Sequence, residues 1–255
     1  MILSEIDLSR LSREEQEKMM MLIESEQRRA NKRKLQGYQS DYFGWLQEPY
    51  RPYEKQKAFH AAGAVHNERL FMAGNQLGKT MSGGNEWAIH LTGRYPDWWE
   101  GMEFKKPVKF WASGESGEST RDNPQNILVG PPETEEAWGT GTIPGDALVG
   151  YNRARGVPNL LDSITIRHGG GGDVQAGRSR LLFKSYEKGR RKWQGPTIDG
   201  VWFDEEPPMD IYSEGRTRTQ RGQSGIFTMV TFTPLQGWSD VVRTFLSEDE
   251  VDTMK

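Results

Sequence analysis

Cysteine is absent from the 255 residues. That excludes disulfides, thiolate metal sites and cysteine nucleophiles. Histidine is scarce as well. His60, His66, His90 and His168 lie too far apart along the chain for a local metal motif, and His90 falls on an expected buried helix, where a structural role is the simpler reading. No run of about 18 apolar residues occurs, so no membrane span is expected. The N-terminus lacks the basic-then-apolar pattern of a secretion signal. An excess of positive charge is also missing, since the formal net charge is -3. Proteins that clamp DNA through its phosphates are usually basic, so DNA binding here would need a local patch. Lys184, Lys188, Arg190, Arg191 and Lys192 form one such cluster. A solvated charged face is the plainer reading of such a run. The length suits one large α/β domain or two small ones, with enough chain to bury a proper core.

What is present is a strand–loop–helix pattern with chemical content. The apolar stretch Leu70-Phe71-Met72-Ala73 runs into Gly74-Asn75-Gln76-Leu77-Gly78-Lys79-Thr80, and Met81 to Leu91 can continue as a helix. Such a loop aims backbone N–H groups at the phosphates of a nucleoside triphosphate. Lys79 would reach the β and γ phosphates, and the Thr80 hydroxyl would hold magnesium. The usual pattern opens with glycine where this chain has Ala73. Glycine is required there only if the backbone takes a positive φ.

A second motif lies downstream. Ile198 to Phe203 reads as a buried strand that ends in Asp204-Glu205-Glu206 and two prolines. Phosphoryl transfer gives consecutive acids at a strand end a purpose. Asp204 can share a magnesium ion with Thr80, and Glu205 can orient and deprotonate the attacking water. A solvated acidic strand end is the competing reading. The two motifs together point to a magnesium-dependent NTPase.

The remaining pattern is α/β. Ser12-Arg13-Glu14-Glu15 reads as a capping box opening a helix to about Lys34. An aromatic segment follows, with Tyr42, Phe43, Trp45, Tyr50 and Tyr53, and then a helix over Glu54 to Ala62. Tyr53 and Gln56 are candidates to stack on and hydrogen-bond an adenine; ordinary packing of Tyr53 and a solvated Gln56 is the alternative. Further strands are expected at residues 108–112, 163–167, 181–184 and 225–232, with loops at Pro131-Pro132 and Gly169 to Gly172. Residues 131–160 show little pattern beyond a short helix near Asp146. Strands alternating with helices after a phosphate loop predict a mostly parallel sheet flanked by helices.

In this order, the motifs resemble the large terminase subunit of tailed bacteriophages, the ATPase motor that drives double-stranded DNA into a preformed capsid. Gly74 to Thr80 matches its phosphate loop, and Tyr53 with Gln56 looks like its adenine motif. Ser185 to Gly195 is similar to the segment leading into its acidic strand, and Val201 to Glu205 matches that strand. Thr231-Phe232-Thr233-Pro234 is similar to its coupling motif, which links γ-phosphate loss to movement. The likeness spans about residues 50–240. It implies a P-loop NTPase of the additional-strand catalytic-glutamate type, with ATP and Mg2+ at the carboxyl ends of the strands. It also implies a ring of copies on the capsid's portal protein, a small terminase subunit as partner, and a place in the host cytoplasm and transiently at the portal, not in the mature virion.

Many members carry an arginine inside the phosphate loop, where this chain has Asn75 and Gln76. A cation for the γ-phosphate is still required. Arg121, supplied by a neighbouring subunit, is the expected source, with Arg190, Arg191, Arg216 and Arg218 as rivals. The alternative is that Arg121 pairs with Asp122 or Glu118 on its own surface. Full-length members add a nuclease domain, for which the residues after Pro234 are too few. The expected organisation is therefore a helical arm over residues 1–40 and an ATPase domain over 41–255. A helicase-type translocase and a nucleotide-gated, non-enzymatic interaction module are the competing functions.

Overall fold

The computed structural model describes residues 52–74, 76–169, 174–233 and 239–246, together with Lys18 and Met21. The remainder of the expected N-terminal helix, the aromatic run from Tyr42 to Tyr50, Asn75, Pro234 and the acidic residues after Ser247 lie outside them.

The chain enters through helix α1 (Glu54–Ala62), strand β1 (Glu68–Met72) and helix α2 (Lys79–Thr92). Next come β2 (Lys109–Gly114) and two short helices, α3 (Gly117–Thr120) and α4 (Asn126–Val129), joined by a π turn that contains Pro124. β3 (Leu148–Arg153), β4 (Leu161–His168) and β5 (Gly177–Ser185) follow. β6 (Gly200–Asp204), helix α5 (Met209–Thr219), β7 (Thr228–Phe232) and the short α6 (Asp240–Arg243) complete it.

The seven strands form one sheet in the order β1-β7-β6-β2-β5-β4-β3. From β1 to β5 every pairing is parallel. β4 and β3 extend the sheet with antiparallel pairings. β6 and β7 are buried along their whole length, as strands covered on both faces must be. Their side chains alternate between two cores. Phe110 and Trp202 point to the side packed by Trp87 and Leu91 of α2, while Trp111, Phe203 and Val230 point to the side packed by Ile211 of α5. β7 lies between the strand that feeds the phosphate loop and the strand that ends in acids. That inserted strand marks the additional-strand class.

α2 lies close on the sheet because Gly83 faces it: a Cβ there would come within 2.6 Å of the Trp202 indole. The helix stops at Gly93, whose φ of 66° places it in the left-handed region that ends helices.

One expectation is corrected. The helix near Asp146 is a turn leading into β3, which pairs with β4. The mostly parallel sheet is as expected, with its antiparallel part in the β3–β4–β5 unit. Neither β3 nor α5 had been expected. The apolar face of β3 is too sparse to show an alternation, and α5 carries many polar residues.

Candidate nucleotide site

The parallel register sets the site. Asp204 at the end of β6 lies beside Thr231 of β7, and Phe232 lies beside Met72 at the end of β1. The phosphate loop leaves β1 at this level. Ala73 does not take a positive φ, so its side chain fits; among the described residues of the loop, Gln76 (φ 60°) and Gly78 (φ 79°) are left-handed.

Lys79 is buried, and its Nζ donates to the Gly74 carbonyl at 2.7 Å across the loop. The next residue, Thr80, brings its side chain up to the Asp204 carboxylate, where it favours the ionised form. The loop threonine and the first acid of the later pair are therefore brought together, although 124 positions separate them in the numbering of the chain. Burial pushes the Asp204 carboxyl up to about 7, against the opposing bond from Thr231, the Thr80 side chain and the charge of Lys79. The Thr231 hydroxyl donates to Asp204 Oδ1 at 2.8 Å and accepts from Trp202 Nε1 at 2.8 Å. The indole, itself pressed on Gly83, thus fixes the direction of that hydroxyl.

Glu205 has φ 64°, unusual for a residue with a side chain. Its N–H donates to the Thr231 carbonyl at 2.8 Å, and its side chain is exposed at the end of the strand. Partial burial raises its carboxyl, and the bond it accepts from the Thr233 backbone N–H opposes that rise. Thr231 and Thr233, expected as coupling residues, therefore touch the two acids directly.

Three residues not expected from the sequence hold this arrangement. The buried Tyr186 hydroxyl lies 3.0 Å from the Asp204 carbonyl and 2.9 Å from the Glu205 carbonyl, bracketing the left-handed bend. Ser113 of β2 bonds the Trp202 carbonyl at 2.8 Å and also reaches Tyr186. Trp202 is the third. Tyr186 lies within the segment likened to the terminase family, but nothing local in sequence shows that its hydroxyl returns to β6.

The upstream pair is also placed. Gln56 is buried and Tyr53 is 74% exposed, the reverse of a packed tyrosine and a solvated glutamine. Gln56 Oε1 accepts the Tyr53 N–H at 2.9 Å, and its Nε2 donates to the Gly78 carbonyl at 3.2 Å. Gln56 thus ties the start of α1 to the phosphate loop and leaves the Tyr53 ring free beside it.

Arg121 is not joined to these residues. It makes a bidentate bond to Asp122 at 2.7 and 3.0 Å and donates to the Pro158 carbonyl. The same-surface pairing is what the structure shows. Arg190 and Arg218 pair with Glu214, and Arg216 with Glu68. Arg191 makes no ion pair with any described residue.

The donor set suits magnesium. Thr80 and Asp204 offer neighbouring hard oxygens, and Mg2+ takes one or two protein oxygens with the rest from water and phosphate. A cation would also offset the buried charge that raises the Asp204 pKa.

The strand order and this geometry define a P-loop NTPase of the additional-strand catalytic-glutamate class. Residues 70–255 match the family model for the terminase large subunit, T4likevirus-type, N-terminal, and the chain belongs to this family. It is 43% identical over 251 residues to the terminase large subunit of Salmonella phage P22, covering 94% of this chain and 48% of that protein. To the terminase large subunit of Enterobacteria phage LP7 it is 29% identical over 133 residues, covering 52% of this chain and 27% of that protein. The chain spans about half the length of the P22 relative. Among solved structures, a mutant of the Thermus phage P74-26 large terminase ATPase domain aligns with a TM-score of 0.49 at 16% identity, covering 74% of this chain and 68% of that one.

Proposed function

We propose that this chain is the ATP-hydrolysing part of a motor that moves double-stranded DNA into a preformed capsid. The contact between the Thr80 hydroxyl and the Asp204 carboxylate, with Glu205 next along the chain, carries the reading. ATP supplies the phosphates; Thr80 and Asp204 would hold Mg2+, which would offset the phosphate charge. The backbone N–H groups from Gly74 to Gly78 cradle the phosphates, with Asn75, Gln76 and Leu77 between, and Lys79 exchanges its bond to the Gly74 carbonyl for phosphate oxygens. Tyr53 stacks on the adenine and Gln56 positions that segment.

Glu205 takes the proton of the attacking water. Its raised pKa makes it a better base once it ionises. Thr233 holds the Glu205 carboxylate by its backbone, and Thr231 holds Asp204, so a change at either acid is passed directly to β7. A cation for the γ-phosphate comes from a neighbouring copy in a ring on the portal. Arg121 can serve only by giving up Asp122; among the described residues Arg191 has no such pair to break. A small terminase subunit delivers the DNA, in the host cytoplasm. Among the described residues no helix is long and apolar enough to cross a membrane.

The test measures ATP hydrolysis with and without Mg2+, empty capsids and DNA. Capsid-stimulated, Mg2+-dependent turnover is expected, and Glu205→Gln should lower it by roughly a thousandfold while ATP still binds. Normal turnover in that variant would remove Glu205 from the mechanism. Stimulation by DNA alone would favour a helicase-type translocase, and no hydrolysis under any condition a nucleotide-gated module.

A further inference from the structure

Four cations share one uncovered face of the sheet, away from the nucleotide site. Parallel pairing sets Lys109 of β2 beside Arg180 of β5, and antiparallel pairing sets Arg167 of β4 opposite Arg178 of β5. Residues in register on neighbouring strands project to the same face. Lys109, Arg167, Arg178 and Arg180 are all exposed, while Ser179 and Leu181, between and beyond them on β5, are buried on the opposite face.

The arrangement is costly. Like charges directly opposite each other destabilise a sheet. No carboxylate among the described residues forms an ion pair with any of the four, and the one side-chain hydrogen bond they make is Arg180 Nη2 to Ser163 Oγ at 3.4 Å. Asp146, which feels the charge of Arg167, is already bonded to Arg94. Acids are not in short supply, with 36 Asp and Glu in the chain. Arg94, Arg121, Arg153, Arg190 and Arg216 each have a carboxylate partner. Among the described residues these four are left without an ion-pair partner.

We propose that this face docks the phosphate backbone of a duplex nucleic acid. The inference rests on the reading of the chain as a DNA motor and adds the surface that such a motor would use. A polyanion relieves the self-repulsion, and guanidinium groups match phosphate oxygens. An extended phosphodiester backbone fits better than an acidic peptide. The cations sit on a flat grid, with strands roughly 4.8 Å apart and residues 178 and 180 roughly 7 Å apart along β5. Thr165 stands beside Arg180 in the same row, and Leu182 follows in the next row along β5. Duplex DNA presents a charge about every 1.7 Å of its axis, dense enough to meet all four cations. Lys109 opens β2, whereas the nucleotide site lies at the carboxyl ends of the parallel strands, so the two surfaces can be altered separately.

The test is fluorescence anisotropy of a labelled duplex of about 30 base pairs over a salt series. One variant carries Lys109→Gln, Arg167→Gln, Arg178→Gln and Arg180→Gln; a second carries Arg178→Gln and Arg180→Gln only. The fourfold variant should lose roughly tenfold or more in affinity at low salt, and the slope of log affinity against log salt should shrink by about three. The double variant should show about half the change in slope, and its thermal unfolding reports that it folds. Equal affinity and slope in wild type and the double variant overturn the proposal. So does a wild type that binds no duplex at low salt, or one in which a polyglutamate peptide binds this face more tightly than the duplex. Basal ATP hydrolysis should be unchanged in both variants. DNA binding through this face by a chain that never hydrolyses ATP would sink the motor reading and leave this surface standing.

Discussion

Charge is handled in opposite ways in two regions of this molecule. Beneath the phosphate loop, Glu86 of α2 is 1% exposed and receives Arg69 of β1 and His60 of α1. His60 Nδ1 lies 2.8 Å and Arg69 Nη1 3.1 Å from Glu86 Oε2. His90 lies on the next turn of α2, 3.6 Å from the other oxygen. Burial alone would raise the Glu86 pKa, but the Arg69 charge and the histidine bonds outweigh it and hold the carboxyl well below its usual range. On the open face of β2, β5 and β4, four cations stand in register, and among the described residues none of them has an ion-pair partner. A buried charge must be neutralised by its own chain, because water cannot do it. An exposed one is tolerated uncompensated, and where a fold keeps four together an external partner is the economical reason. The buried knot also joins α1, β1 and α2, the elements that carry Gln56 and the phosphate loop.

The sharpest way to break this comparison is Glu86→Gln. It leaves Arg69 buried without its counter-charge and should cost about 3 to 5 kcal/mol in chemical denaturation. A loss well under that would show the knot to be solvated. The same region sets an acid sensitivity. The Glu86 pKa is depressed in the fold, so its contribution is present above the ordinary carboxylate range and is lost as pH falls through the lowered value. Burial also lowers the His90 pKa, so the unfolded chain takes up a proton below about pH 6.5 that the fold refuses. Tm should therefore drop as pH falls from about 7 to 5, and His90→Asn should flatten that part of the curve.

Of intermediate size is Tyr186→Phe. It removes the hydroxyl that brackets the bend at Glu205 and should lower kcat by roughly tenfold with KM for ATP little changed. A rise in KM without loss of kcat would make Tyr186 a packing residue only. The smallest effect sharpens the other side of the comparison. Arg178→Glu places an acid opposite Arg167 and should stabilise the fold by about 0.2 to 1 kcal/mol while weakening duplex binding. Destabilisation by that change would mean that Arg167 and Arg178 do not repel each other in the folded protein.

Much of the site could be read from sequence because its chemistry is local. Phosphate cradling needs contiguous backbone, so Gly74 to Thr80 announces itself, and α1 runs over Glu54–Ala62 as its spacing predicts. The acidic strand is equally plain, since apolar Val201 to Phe203 ending in Asp204-Glu205 is a contiguous signal. The misses have a different character. Tyr186 and Ser113 act through the fold, with hydroxyls reaching backbone carbonyls on other strands, and α5 is too polar to show its buried stripe. β3 sits at a sheet edge with none of its residues fully buried, so its apolar alternation is weak. Arg121 pairs with Asp122, a partner that adjacency in sequence already offered, while its bond to the Pro158 carbonyl comes from the fold.

The sequence by itself determined the phosphate loop, the acidic pair and the parallel α/β character, because each is written in adjacent residues or short periods. Only the tertiary structure decided that Thr80 meets Asp204, that β7 separates their strands and lends Thr231 to both Asp204 and Trp202, and that Lys109, Arg167, Arg178 and Arg180 share a face. Those facts depend on strand order and register, which are set by how whole layers pack and not by any local run of residues.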